Sequence, residues 1–184
     1  MAWIDRQPGI RPRQSLGRRL DTAARVSFPA CMTILLMLLT EAPLGVTGQA
    51  ALQPALALGC IWFWSMHQPQ CMPPPVVFII GLLLDLIAYL PFGVGTLTLL
   101  SCHGIGVALR RFLLPHGFTL IWLAFIPIAA GAALLMWLFV MALMFRFLSP
   151  APVFFQAVVT IALYPALAVP LGAAQRSITS PDRV

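Results

Sequence analysis

The chain has 184 residues, of which 60% are apolar and only 9% are charged, and its mean hydropathy is +0.94. A soluble domain is about half apolar and about a quarter charged, and one of this length could not bury so much apolar surface. This composition excludes an ordinary water-soluble domain. The net charge of +6 raises the question of nucleic acid, which depends on where the charges lie.

The first 25 residues form a basic segment ahead of the first apolar run. It contains six of the eleven basic residues, all arginines: Arg6, Arg11, Arg13, Arg18, Arg19 and Arg25. Such a segment is typical of the cytoplasmic side of a membrane protein. Nucleic-acid binding would favour interleaved aromatic residues, and here only Trp3 is present. We predict a poorly ordered cytoplasmic arm over 1–25, with an interfacial turn near 16–25, and no nucleic-acid partner.

Six apolar segments follow the arm, and six helices of about 20 residues fit the length of the chain. The predicted transmembrane helices cover about 26–39, 50–66, 76–90, 94–109, 118–145 and 153–173. The first would extend to residue 44 if Glu41 lies at the far interface. The cluster Trp62, Phe63 and Trp64 at the end of the second predicts an interfacial aromatic belt. The predicted domains are the arm, a six-helix membrane domain over 26–174 and a short polar tail over 175–184.

Proline and glycine mark the connections between these segments. The proline-rich stretch 67–75 is predicted to be a non-helical loop, because proline removes backbone donors and restrains the preceding residue. Residues 91–95 contain Pro91, Gly93 and Gly95 and predict a tight turn. The fifth segment is long and contains Pro127, so it must tilt, kink or protrude into the headgroups.

The arginines predict an orientation. With the N-terminus in the cytoplasm, ten arginines lie in cytoplasmic segments, and Arg146 alone lies on the other side. This bias follows the positive-inside rule. A five-span alternative, in which two helices merge, would place the C-terminal tail outside. We predict an all-α polytopic membrane protein with about six transmembrane helices and both termini in the cytoplasm.

Asp85 is the acidic residue that falls inside a predicted helix, near the middle of the bilayer. An acid there is costly and is expected to face protein. With the turn centred near Val94, Asp85 and His103 lie nine residues to either side, which makes an Asp85–His103 contact plausible. We favour a structural or assembly role over proton or substrate coupling, because the fourth span adds only Thr98 and Ser101 as further polar groups.

Other candidate residues are weaker. Gly104 and Ala108, with Gly106 nearby, form a small-residue pair that favours ordinary helix packing. His67 and His116 lie in predicted loops and are expected to be solvated. The four cysteines lack a C-x-x-C pair, so neither a disulfide framework, a zinc site nor another cofactor is predicted. No strained nucleophile turn accompanies the serine, histidine and aspartate of the third and fourth spans, so an intramembrane hydrolase is disfavoured.

The segment from Phe78 to Leu97, FIIGLLLDLIAYLPFGVGTL, resembles the hairpin "G-L-x-x-D-x-x-x-x-x-P-x-G" of the MreD family of bacterial rod shape-determining membrane proteins. The chain is also similar in size, in its arginine-rich start and in the proline-rich loop before the third span. Carried over by position, the motif residues are Gly81, Asp85, Pro91 and Gly93. The resemblance implies a fold similar to the six-helix substrate-binding subunits of energy-coupling-factor transporters.

The resemblance also implies a function. It predicts a non-enzymatic scaffold in the bacterial inner membrane that supports cell shape and lateral peptidoglycan synthesis. The implied partners are MreC, the MreB filament system, RodA and a class B penicillin-binding protein. The alternative is the substrate-binding subunit of an energy-coupling-factor transporter for a small molecule. Such a site needs several convergent polar groups in a cavity, and this sequence supplies few.

Overall fold

The computed structural model describes residues 16–40, 49–145 and 149–179, together with the side chains of 26–40, 51–145 and 149–176. About 90% of the described residues are helical, and no strand occurs among them. The all-α prediction is therefore confirmed for this part of the chain. The α-helices are α1 (Leu16–Leu39), α2 (Gln49–His67), α3 (Pro74–Ile87), α4 (Val94–Leu113), α5 (Phe118–Met144) and α6 (Ala151–Thr179).

The length and composition of these helices bear on the membrane prediction. Within the described residues, three segments are long and apolar enough to cross a membrane, namely Val94–His116, Phe118–Met144 and Ala151–Arg176. Val26–Leu39 and Pro74–Ile87 are shorter apolar helices of 14 residues each. Each predicted span coincides with an α-helix, while crossing by all six and their orientation remain predictions.

The boundaries differ from the predictions in two places. α1 begins at Leu16, so residues 16–25, where an interfacial turn was predicted, belong to a continuous helix. Residues 1–15, Glu41 and Arg146 lie outside the described part of the chain. The stretch 67–75 is not wholly non-helical, because Pro69–Cys71 forms a 3-10 turn and α3 begins at Pro74. Proline is compatible with the first turn of a helix, where no N–H bond to a preceding carbonyl is needed.

Four of the helices form a ring around the core. α2 packs against α4 and α6, and α5 packs against both α4 and α6, while α3 lies against α4 and α1 against α2. Every residue from 55 to 66 of α2 is buried. The prediction of an interfacial belt at Trp62, Phe63 and Trp64 is wrong, because neighbouring helices surround this part of α2 and enclose its side chains.

Candidate functional site: the Asp85 hairpin

Asp85 lies two residues before the end of α3, next to the turn that leads into α4. It was predicted near the middle of a longer helix, but α3 ends at Ile87 instead of residue 90. The side chain is 1% exposed. A carboxyl group enclosed to this degree must be matched by hydrogen-bond donors, since burial without them is costly.

The carboxylate of Asp85 accepts four hydrogen bonds from the start of α4. Oδ1 accepts the Gly95 N–H at 2.6 Å. Oδ2 accepts the Gly93 N–H at 2.9 Å, the Thr96 hydroxyl at 2.9 Å and the Thr96 N–H at 3.3 Å. Both oxygens are therefore occupied by neutral donors of the same hairpin.

This geometry follows from the needs of a helix N-terminus. The first N–H groups of a helix have no partner within the helix, and the helix dipole favours negative charge at that end. Gly95 and Thr96 are the second and third residues of α4, after the N-cap Gly93. Asp85 thus acts as the anionic cap of α4, although it belongs to the preceding helix.

The backbone of Asp85 also closes α3. Its carbonyl oxygen accepts the Leu90 N–H at 3.0 Å, and the residue between Ala88 and Leu90, Tyr89, has a left-handed φ of 53°. This six-to-one bond with a left-handed residue is the Schellman arrangement that ends many helices. One residue therefore terminates α3 through its carbonyl and begins α4 through its side chain.

Two glycines allow the helices to approach closely at this point. A Cβ atom on Gly81 would overlap the Cα atom of Thr96, and one on Gly95 would lie 2.6 Å from Oδ1 of Asp85. Gly93 has a φ of 97°, a conformation that glycine adopts without strain. The half-buried Pro91 accepts the Val94 N–H at 3.2 Å through its carbonyl.

Four of the five predicted site residues, Gly81, Asp85, Pro91 and Gly93, therefore meet in one hairpin. Thr96, which supplies two of the donors to Asp85, was not among them. The sequence does contain a signal for Thr96. It lies three residues after Gly93, a glycine that can cap a helix, and the backbone N–H at that position needs an acceptor.

His103 does not join this group, and the predicted Asp85–His103 contact is wrong. Asp85 bonds to the start of α4, whereas His103 lies seven residues after Thr96, about 10 Å along the helix. The predicted contact places the turn at Val94, nine residues from both Asp85 and His103, but Val94 is already the first residue of α4. The centre lies midway between Ile87 and Val94, which brings Asp85 level with Thr96.

The partner of the buried His103 is Ser65 of α2. Its Nδ1 lies 2.7 Å from Ser65 Oγ, and the same hydroxyl lies 2.6 Å from the Ile61 carbonyl oxygen. A hydroxyl has one proton to donate. When Ser65 donates to Ile61, His103 must donate from Nδ1, a tautomer in which it does not act as a base toward Ser65. The pair then links α2 to α4 and does not activate a nucleophile.

The remaining candidates have local roles. His67 and His116 each bond through Nδ1 to the carbonyl four residues earlier, Phe63 and Phe112 respectively; His67 is half-buried rather than fully solvated. Gly106 packs against α2, where an added Cβ would lie 3.0 Å from Ser65 Cβ, while Gly104 faces open space. Within the described residues, no group of three or more histidine, cysteine or acidic side chains could hold a metal ion.

Comparison with known proteins adds no relative. No protein-family model, curated protein or solved structure matches this chain.

Proposed function

We propose that this protein is a non-enzymatic scaffold of the bacterial elongation machinery, which builds the lateral cell wall. It would cross the inner membrane six times with both termini in the cytoplasm, as a member of the MreD family. Its partners would be MreC, RodA, a class B penicillin-binding protein and, through these, the MreB filament. Its activity would consist of holding those proteins in a fixed arrangement.

The observation that carries this proposal is the occupation of Asp85. A carboxylate that couples proton or substrate movement needs an oxygen that can be reached and released during the cycle. Both oxygens of Asp85 accept bonds within one hairpin, and the side chain is almost completely enclosed. A residue used in this way stabilises the geometry of α3 and α4, which favours a scaffold.

The arrangement of positive charge is compatible with the proposed orientation. Arg110 and Arg111 lie in the last turn of α4, and Arg176 lies in the last turn of α6. Because α5 connects α4 to α6 through short segments, these last turns point to the same side of the bundle. The positive-inside rule would assign that side to the cytoplasm.

The alternative, a transporter subunit, draws on a groove between α4 and α5. It has a volume of about 190 Å³ and is lined in part by Thr98, Ser101 and Gly131. Ligand pockets usually measure about 300–1,000 Å³. The Thr98 and Ser101 hydroxyls also donate to carbonyls of their own helix, Val94 and Leu97, at 2.7 and 2.8 Å. The small volume and the occupied hydroxyls favour a transporter subunit less than a scaffold.

Purification of the tagged full-length protein from bacterial membranes, with identification of the proteins that accompany it, tests the two functions. We expect enrichment of MreC and the wall-synthesis proteins. Enrichment of transporter ATPases instead would replace the scaffold with the alternative. In cells, Asp85→Ala should reduce this association and disturb rod shape, while the matched control Ser101→Ala, which removes a hydroxyl bonded within its own helix, should not.

A further inference from the structure

The apolar helices of the bundle differ greatly in length. α3 has 14 residues, which corresponds to about 21 Å, and along α4 the first charge, Arg110, comes about 24 Å after Val94. α5 has 27 residues and corresponds to about 40 Å. The hydrocarbon core of a bilayer is about 30 Å thick. One flat bilayer of that thickness cannot match both α3 and an upright α5.

The long and the short helices have different ways of adapting. A long helix can tilt or extend into the headgroups. α3 cannot be lengthened, because Pro73 and Pro74 start it and the left-handed Tyr89 with the Leu90-to-Asp85 bond ends it. The hydrogen bonds of the Asp85 carboxylate also hold the start of α4 at that level. The short length is therefore fixed by the fold.

The short apolar helices are neighbours in the bundle. The apolar part of α1, Val26–Leu39, has the same length as α3, and α1 contacts both α3 and the 3-10 turn before it. α5 packs against α4 and α6. We call the exposed sides of Val26–Leu39 and α3 the short face. Its exposed side chains include Leu35, Phe78, Ile79, Leu82 and Leu86.

The turn at the end of the short face is exposed non-helical backbone. Tyr89 is 92% exposed and Phe92 is 73% exposed. Irregular backbone does not occur where it faces hydrocarbon, because each unsatisfied group is costly there. Compressing the bilayer costs a fraction of a kcal/mol for each ångström, whereas each unsatisfied backbone group in hydrocarbon costs several kcal/mol. The favourable adjustment brings the headgroups to the turn and does not bury the turn in lipid tails.

Tyr89 adds an independent indication. A left-handed residue at a helix end is usually glycine, which adopts this conformation without a Cβ penalty. An aromatic residue at this position, with its side chain almost fully exposed, points to a role for the side chain itself. Tyrosine is enriched where membrane meets water, because its ring suits the apolar side and its hydroxyl the polar side.

We propose that the short face binds a locally thinned phospholipid bilayer, with Tyr89 and Phe92 marking the level of the headgroups. This inference rests on the membrane crossing of the α3–α4 hairpin in the proposed function. The protein then carries a lipid environment of its own on one side, thinner than the surrounding membrane.

Spin-label depth measurements on the purified full-length protein test the proposal. Cys31→Ala and Cys71→Ala remove the accessible native thiols, and the label is attached at Phe92→Cys in the turn, with Leu86→Cys in α3 as the matched control. The protein is reconstituted in phosphatidylcholines from dimyristoleoyl to dieicosenoyl. Collisions with a water-soluble nickel chelate and with oxygen report water and lipid contact. Both replaced side chains are exposed, so the fold is preserved.

The expected result is that the label at residue 92 keeps its contact with the nickel chelate in every lipid, while the label at residue 86 remains in contact with oxygen. A progressive loss of nickel contact at residue 92 as the chains lengthen would mean that the turn sinks into lipid, and it would overturn the proposal.

A second measurement separates this failure from failure of the crossing itself. An impermeant thiol reagent is applied from either side of sealed vesicles to two variants. One keeps native Cys71 in the Cys31→Ala background, and the other carries Phe92→Cys with both Cys31→Ala and Cys71→Ala. Partial burial raises the pKa of the Cys71 thiol, so labelling is done at mildly alkaline pH, where more thiolate is present. Labelling from opposite sides supports the crossing. Labelling of both from one side would overturn the crossing and, with it, the thinning.

Discussion

Replacing Asp85 by alanine leaves the start of α4 without its acceptors. The Gly95 N–H, the Thr96 N–H and the Thr96 hydroxyl are all bonded to the carboxylate in a buried environment. An unsatisfied buried donor costs about 1–3 kcal/mol. Because neighbouring losses are not additive and the hydroxyl can turn toward its own helix, we expect Asp85→Ala to lower the free energy of unfolding by about 3–5 kcal/mol.

Asp85→Asn separates the loss of an acceptor from the loss of the side chain. The amide oxygen can still accept the Gly95 N–H, but the NH₂ group would face the Gly93 and Thr96 donors on the other side. We therefore expect about half the loss of the alanine variant, about 1.5–3 kcal/mol. The order of stability should be wild type, then asparagine, then alanine.

Titration with a denaturing detergent in mixed micelles measures the global loss, and amide hydrogen exchange at Gly95 and Thr96 measures the local one. Ser101→Ala serves as the control, because its hydroxyl donates within its own helix, and we expect it to change stability by less than about 0.5 kcal/mol. If Asp85→Ala were no less stable than Ser101→Ala, and exchange at Gly95 and Thr96 were unchanged, the capping role would be refuted.

Three further substitutions test the hairpin backbone in the same unfolding assay. Gly81→Ala should destabilise the protein by more than about 1 kcal/mol, the cost of overpacking, because its Cβ would overlap Thr96 Cα. Gly104→Ala is the control: its Cβ meets open space, so it should stabilise slightly through higher helix propensity. Equal effects of the two substitutions would contradict the close approach at Gly81. Gly93→Ala should cost about 1 kcal/mol through its φ of 97°, and an unchanged midpoint would argue against that conformation. Tyr89→Gly should stabilise by about 0.5–1 kcal/mol in detergent through release of left-handed strain, while a loss would show that the ring makes stabilising contacts.

The positions of the helices could be predicted because each is a long apolar run, and prolines or glycines lie in most of the connections between the runs. For this reason α5 was predicted to within one residue, despite Pro127. The end of α3 could not be predicted in the same way. It depends on a left-handed conformation of Tyr89, and nothing in the composition of an apolar run distinguishes this residue from one more helical residue.

The partners of buried polar groups were harder to predict than the groups themselves. Asp85 was identified as a packing residue from its type and position alone, but its partners depend on where α3 ends and α4 begins. The contact of Ser65 with His103 requires knowing that α2 packs on α4. Hydropathy likewise cannot separate helices that face lipid from helices that face protein, which explains why Trp62 was assigned to an interface while it lies in the core.

The capping of α4 by Asp85 has a consequence for biogenesis. During synthesis α3 is made first, and its aspartate has no donors until the following helix exists. Asp85 lies near the end of α3, so inserting α3 alone costs less than the roughly 2.5–3.5 kcal/mol of a central acid, but a helix of 14 residues has little apolar length to offset that cost. In the six-span arrangement that we propose, we expect the insertion machinery to retain α3 until α4 has been synthesised and to release both into lipid together, as a pair whose polar groups are already matched.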